Sequence, residues 1–303
     1  MRTGLGIRHG LAAALLCAGA SAVQASDVPY VPTPMNVVDA MLALGKVGPA
    51  DYLIDLGSGD GRIPIRAASR HGTRGLGVDL DDNLVRTATA AANKQGVDDK
   101  VTFQARNIFD TDLSRATVVT AYLLNSVNMR LRPQLFEQLK PGTRIVTHDF
   151  AFGDWAPEQR LTLEVPDKAY GPPLSDIMLW VIPANLSGVW QWTQSSADAA
   201  VTRYEARIEQ KFQMLVGTAG SGLANSRIIE GRVNGVSFSF TLGSGPDAVK
   251  YSGTIDGDTA SGQASVGNGK PLPWQARRVS RGKINISGHA VMRVAAGSLN
   301  QEQ

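Results

Sequence analysis

Cysteine is almost absent from this chain of 303 residues; Cys17 is the only one. A lone thiol builds neither a disulfide framework nor a thiolate metal site. Histidine is scarce as well. His9, His71, His148 and His289 show no H-E-x-x-H spacing, which argues against a zinc-hydrolase helix and against a metal centre of that kind. No G-x-S-x-G elbow occurs, since Gly57-Ser58-Gly59 falls short of it, so a serine hydrolase is not expected. There is no run of Lys or Arg and no interleaving of basic with aromatic residues, so nucleic acid is not an expected partner. The longest apolar stretch near the start, Leu11–Ala20, is too short to span a bilayer.

That stretch has another reading. It follows Arg2 and Arg8 and precedes Val23-Gln24-Ala25-Ser26, the order of a cleavable export signal over residues 1–25. The expected compartment is periplasmic or secreted, the alternative an uncleaved N-terminal membrane tether. Without Arg2 and Arg8, 28 basic residues face 27 acidic ones, so the calculated pI near 9.0 reflects a small excess and not a basic patch. Hydrophobic residues at 43% against 19% charged are a globular composition, with length enough for two domains.

The most informative stretch is Tyr52–Gly61. An apolar run, Tyr52 to Leu56, reads as a buried strand, and Arg62-Ile63-Pro64-Ile65-Arg66-Ala67-Ala68 reads as a helix. Between them lies Asp55-Leu56-Gly57-Ser58-Gly59-Asp60-Gly61. A strand, a glycine turn and a helix form a nucleotide-type binding corner, where the helix start offers N–H groups to an anionic ligand group. A dinucleotide site wants G-x-G-x-x-G, but counting from Gly57 the third glycine falls on Arg62; the pattern here is D-x-G-x-G-x-G. A second apolar strand, Gly75-Leu76-Gly77-Val78, ends in Asp79, placed to accept hydrogen bonds from ribose hydroxyls. A third, Val101–Ala105, leads to Asn107 and Ile108, a polar and an apolar residue suited to the edge and face of adenine. Further strands are predicted at Thr117–Leu123, Thr143–Asp149, Leu161–Val165 and Ile177–Ile182, and helices at Val37–Leu44, Arg62–Arg70, Asn83–Gln95 and Pro133–Leu139. This alternation predicts an α/β fold, a doubly wound, mostly parallel seven-strand sheet over 26–183.

From residue 30 to about 155 the chain resembles the small protein-lysine methyltransferases of archaea and mitochondria, a lineage of the class I, seven-strand fold that uses S-adenosylmethionine (SAM). The resemblance rests on the glycine motif Asp55–Gly61 and on short segments in a fixed order. These include Tyr30-Val31-Pro32-Thr33-Pro34, Val37–Leu42, Asp112–Val119, Tyr122-Leu123-Leu124, Leu131-Arg132-Pro133, Leu139–Thr143, His148-Asp149-Phe150 and Gly153-Asp154-Trp155. It implies that the last two strands form an antiparallel hairpin and that Tyr30 and Thr33 fold over the methionine end of SAM. Two positions depart from the family. Arg106-Asn107 stands where Gly-Asp is usual, and Asn125 where Pro often follows Tyr-Leu-Leu. Asn107 can still accept from the adenine amino group, with altered binding strength, and Asn125 bears on substrate identity rather than on cofactor binding.

The expected SAM site is therefore Tyr30, Thr33, Asp55, Gly57, Ser58, Gly59, Gly61, Asp79, Asn107 and Ile108. Methyl transfer is an in-line displacement in which the protein mainly positions the acceptor lone pair, and an amine acceptor must be neutral to react. Tyr122, Asn125, His148 and Asp149, at the ends of the fourth and fifth strands, are the candidate catalytic groups. The expected acceptor is a protein lysine, with a small amine next; oligomeric state is not legible. The rival reading is a non-catalytic envelope protein that keeps the fold and uses its second domain for a partner or apolar ligand.

That second domain, 184–295, has frequent Gly, Ser and Thr and short alternating segments: Gly188–Trp192, Tyr204–Glu209, Phe212–Val216, Arg227–Val233, Val236–Leu242, Tyr251–Ile255 and Trp274–Val279. They predict an antiparallel barrel or sandwich, with Trp190, Trp192 and Trp274 either plugging it or lining a ligand cavity. Residues 296–303 read as a frayed tail.

Overall fold

The computed structural model describes residues 30–169, 171–195, 201–267 and 269–287. The export-signal reading of 1–25 and the tail reading of 296–303 lie outside the described residues.

The first half alternates as α1 (Met35–Leu44), β1 (Tyr52–Leu56), α2 (Arg62–His71), β2 (Arg74–Asp79), α3 (Asp82–Gln95) and β3 (Val101–Ala105). It continues with β4 (Val118–Ala121), α4 (Asn125–Gln138), β5 (Arg144–His148), β6 (Gln159–Glu164) and β7 (Leu174–Val181). The strands form one seven-stranded sheet in the order β3-β2-β1-β4-β5-β7-β6. β1 to β5 are parallel, and β7 runs antiparallel to both β5 and β6. Central strands β1, β4 and β5 are buried almost throughout, because helices cover both faces. The strand order reverses at β1, between β2 and β4, and ligands of such sheets sit outside the carboxyl ends of the strands at that point.

α4 corrects the expected helix Pro133–Leu139. It begins eight residues earlier, at Asn125, and carries Pro133 in its interior. Proline is favoured in a first helical turn, which made Pro133 look like a start. Val127, Leu131 and Leu135 instead bury one continuous face at helical spacing, and that burial outweighs the missing backbone hydrogen bond.

The second half is a closed eight-stranded antiparallel barrel: β8 (Gly188–Ser195), β9 (Val201–Lys211), β10 (Met214–Ser221), β11 (Ala224–Asn234), β12 (Ser237–Leu242), β13 (Val249–Asp256), β14 (Thr259–Val266) and β15 (Leu272–Arg281). β14 escaped the sequence reading. Its inward residues are Ala260 and Ala264, too small to write a hydrophobic alternation. They share the core with aromatic side chains that fill the interior, packed face to face and edge to face. Trp192 lies 5.3 Å from Tyr204, and Trp274 lies 5.3 Å from Tyr251 and 5.7 Å from Phe238. Trp190 donates from Nε1 to the Leu186 carbonyl and carries Arg278 over its ring. These tryptophans plug the barrel.

The barrel is docked on the sheet domain through the segment that follows β5. Phe212, at the β9–β10 turn, stacks on Trp155 at 5.8 Å. Asp154 bridges Arg132 of α4 and Lys211 of β9, each at 2.8 Å. Glu158 pairs with Arg232 at 2.6 Å, and the Gln213 amide donates to the Ala156 carbonyl. Among the described residues, no helix is long and apolar enough to cross a membrane.

Candidate active site

Beyond the carboxyl end of β1 the chain turns through Gly57-Ser58-Gly59, held against β2 by backbone. Gly57 N and Ser58 N both donate to the Val78 carbonyl at 2.9 Å. Gly59 N donates to Asp79 Oδ2 at 2.8 Å, and Asp81 N donates to Asp79 Oδ1 at 3.0 Å. Asp79 thus fixes the glycine loop before any ligand arrives. Gly59 has φ +53°, and a Cβ there would lie 2.5 Å from the Tyr30 ring. Both facts require glycine.

Tyr30 to Thr33 form a strap across this loop. Arg62 pins it by donating from Nη1 to the Thr33 carbonyl at 2.8 Å while its guanidinium grips Asp60. Arg62 was legible in the sequence only as the residue that breaks the dinucleotide pattern. Under the strap lies a cavity of about 400 Å³. Tyr30, Thr33, Asp55, Gly57, Ser58, Gly59, Asp79 and Ile108 of the expected cofactor residues line it, with Leu80, Leu84 and Leu123 supplying apolar wall.

Two expected residues lie elsewhere. Gly61 is the N-cap of α2, and a Cβ on it would strike Phe103 and Ala88, so its bareness lets the helix pack instead of meeting a ligand. Asn107 spends Oδ1 on the Phe109 N–H at 3.0 Å, capping the 3₁₀ turn Ile108–Asp110. The expected anion seat at the start of α2 is also largely taken: Arg62 N donates to Asp60 Oδ1, and Pro64 has no N–H.

Asp55 is buried at the end of β1 and accepts from Thr120 Oγ1 at 2.6 Å. Burial pushes its pKa up to about 7, against the lowering effect of that hydrogen bond. The Ser58 hydroxyl is buried beneath the loop, beside Gly77, with no partner in the protein. Two acidic side chains, Asp55 and Asp79, set among apolar walls fit a ligand with an amino-acid tail, a sugar and a flat base.

Tyr122, just beyond β4, is the shared wall between this cavity and a second one of about 480 Å³ that also meets Asp149, Phe150, Lys168, Leu174 and Asp176. Burial first, then the Asp149 charge, pushes the pKa of the Tyr122 hydroxyl up to about 12, so it stays protonated. Asp149 adopts φ +60°, a region Asp tolerates, and is locked by the backbone of Asp176: its N–H donates to the Asp176 carbonyl and its Oδ1 accepts from Asp176 N. Lys168 Nζ sits 2.7 Å from Asp149 Oδ2.

His148 is not in either cavity. It is completely buried, with Nδ1 3.3 Å from Thr33 Oγ1, Nε2 2.9 Å from Ser175 Oγ, and its ring 3.9 Å from that of Tyr122. Burial depresses its pKa to about 4, so the ring is neutral. It is a positioning residue beneath Tyr122 and Thr33. Asn125 opens α4 and accepts the Ala151 N–H at 2.9 Å, which ties the loop after β5 to the helix and keeps the side chain out of both cavities.

Comparison with known proteins agrees with this geometry. Residues 55–159 match the family described as the ANTKMT methyltransferase domain. A protein-lysine N-methyltransferase of Saccharolobus islandicus is 45% identical over 138 residues, 45% of this chain and 86% of that protein. The mouse adenine nucleotide translocase lysine N-methyltransferase is 33% identical over 43% of this chain and 57% of its own length. An RNA methyltransferase from Salinibacter ruber, solved with S-adenosyl-L-homocysteine, is 50% identical over 52% of this chain and 96% of that one, with a TM-score of 0.47. The family match ends before the barrel begins. With the glycine loop, Asp79 and the strap in place at the sheet's switch point, this chain belongs to the SAM-dependent methyltransferase family that includes those lysine-modifying enzymes.

Proposed function

We propose that the chain methylates a protein lysine, with a small primary amine as the simpler alternative acceptor. The observation that carries the proposal is Tyr122, which borders the cofactor cavity on one side and an acid-lined cavity on the other. SAM supplies a methyl group already activated on a positively charged sulfur, so the protein needs no nucleophile of its own. Asp55, Ser58, Gly59, Asp79 and Ile108 would hold it, with Tyr30 and Thr33 excluding water above. Asp149 attracts the amine's charge, and the protonated Tyr122 orients the carboxylate. The amine loses one proton before it attacks and a second after it; a carboxylate at the cavity mouth, in contact with solvent, can relay both. The names of the relatives support lysine as the acceptor. The non-catalytic alternative is disfavoured, because the glycine loop and Asp79 keep working geometry.

The test is incubation of the purified protein with tritiated SAM and a decalysine peptide, followed by hydrolysis and amino-acid chromatography. Labelled methyl-lysine is expected; n-butylamine labelled in preference to the peptide would favour the small-amine reading. We also propose export with removal of residues 1–25, from the order of charged, apolar and small residues there. Fractionation showing the full-length chain in the cytoplasm would overturn that.

A further inference from the structure

The second cavity already contains a lysine. Lys168 lies in the connection between β6 and β7, and its side chain is only 9% exposed. Its ammonium meets Asp149 Oδ2 at 2.7 Å and donates to the Leu174 carbonyl. Tyr122 and Phe150, stacked 5.9 Å apart, belong to the same walls. Carboxylate, carbonyl and aromatic faces are what an incoming lysine ammonium would need, and Tyr122 puts them next to the cofactor cavity. Resting on the amine-acceptor reading, the geometry points to this hollow as the acceptor-ammonium seat and to Lys168 as its internal occupant, which the acceptor lysine displaces.

The exchange is chemically selective. Removing Lys168 alone leaves the Asp149 carboxylate half-buried and without its cation, and a stranded buried charge is costly. A primary ammonium restores the pair as Lys168 leaves for solvent, so the exchange is nearly even. A hydroxyl or amide cannot make that trade. Lys168 thereby raises the threshold for every acceptor and the barrier most for neutral ones. It can withdraw without disturbing the sheet, because β6 and β7 are paired up to Glu164 and Leu174 on either side of its connection.

The test compares the full chain with K168M and K168R. Titration calorimetry with n-butylammonium chloride reads the seat directly, without cofactor or turnover. K168M should bind at least fivefold more tightly than wild type, and K168R should stay close to wild type. In decalysine methylation, K168M should lower KM at least fivefold, by more than any change in kcat. Circular dichroism melts confirm that each variant is folded. Equal butylammonium affinity in wild type and K168M, or a KM for K168M at or above wild type while wild type methylates decalysine, would overturn the role of Lys168 and leave the lysine-acceptor reading standing. SAM binding without methyl transfer to any amine in either protein would overturn both.

Discussion

The Tyr30 ring lies so close over Gly59 that a single added methyl carbon would sit 2.5 Å from it. Gly59→Ala therefore meets two obstacles, the collision and a left-handed φ of +53° that costs an L-residue about 1–2 kcal/mol. Relief requires the strap to lift. Calorimetry should show SAM affinity reduced at least tenfold in this variant.

Asp79 faces the cavity while both of its oxygens hold loop amides. Asp79→Ala removes the acceptor for the ribose hydroxyls and frees the glycine loop together, and should weaken SAM binding by roughly 1–3 kcal/mol. Asp79→Asn keeps one carbonyl acceptor and should fall between. An unchanged affinity in the Ala variant would refute the assignment.

Two buried groups bend the pH dependence of stability in opposite directions. Asp55, with its pKa raised to about 7, keeps a proton in the folded state that the unfolded chain has released, so its contribution is lost as pH rises from about 4 to 7. Asp55→Asn should melt higher than wild type, by a margin that grows over that window and is flat above it. His148, depressed to about 4, takes its proton sooner when unfolded, so stability is lost as pH falls from about 6.5 towards 4. His148→Gln should remove that second dependence in thermal melts across the range.

Phe212 is buried between the barrel and Trp155, with the Arg132 guanidinium over its ring at 5.0 Å. Phe212→Ala should cost about 3 kcal/mol in denaturant unfolding. Because Asp154 bridges Arg132 and Lys211 on either side of that contact, a separation of the two domains' transitions is expected as well.

Much of this was legible in the residues, for physical reasons. The glycine turn after an apolar strand announces itself, because only glycine serves where the backbone bends left-handed beneath a ring. Asp79 at a strand end was readable from its distance to that turn. What hid was which side chains the protein's own groups already engage. Asn107 looked like an adenine contact and Asn125 like a catalytic group, but Oδ1 of each accepts a backbone N–H, from Phe109 and Ala151 respectively. His148 looked reactive beside Asp149 until the fold buried it under Tyr122. Lys168 carried no signal at all, since a lone lysine in a turn is ordinary until Asp149 is placed opposite it. β14 was silent because its core positions are alanines.

The most direct measurement is transfer of tritium from methyl-labelled SAM to decalysine by the purified protein, with Asp79→Ala alongside. The structure predicts methyl-lysine from wild type and at least a fivefold loss of that product in the variant at limiting SAM. Label that never reaches an amine, or reaches it equally well without the Asp79 carboxylate, would contradict it.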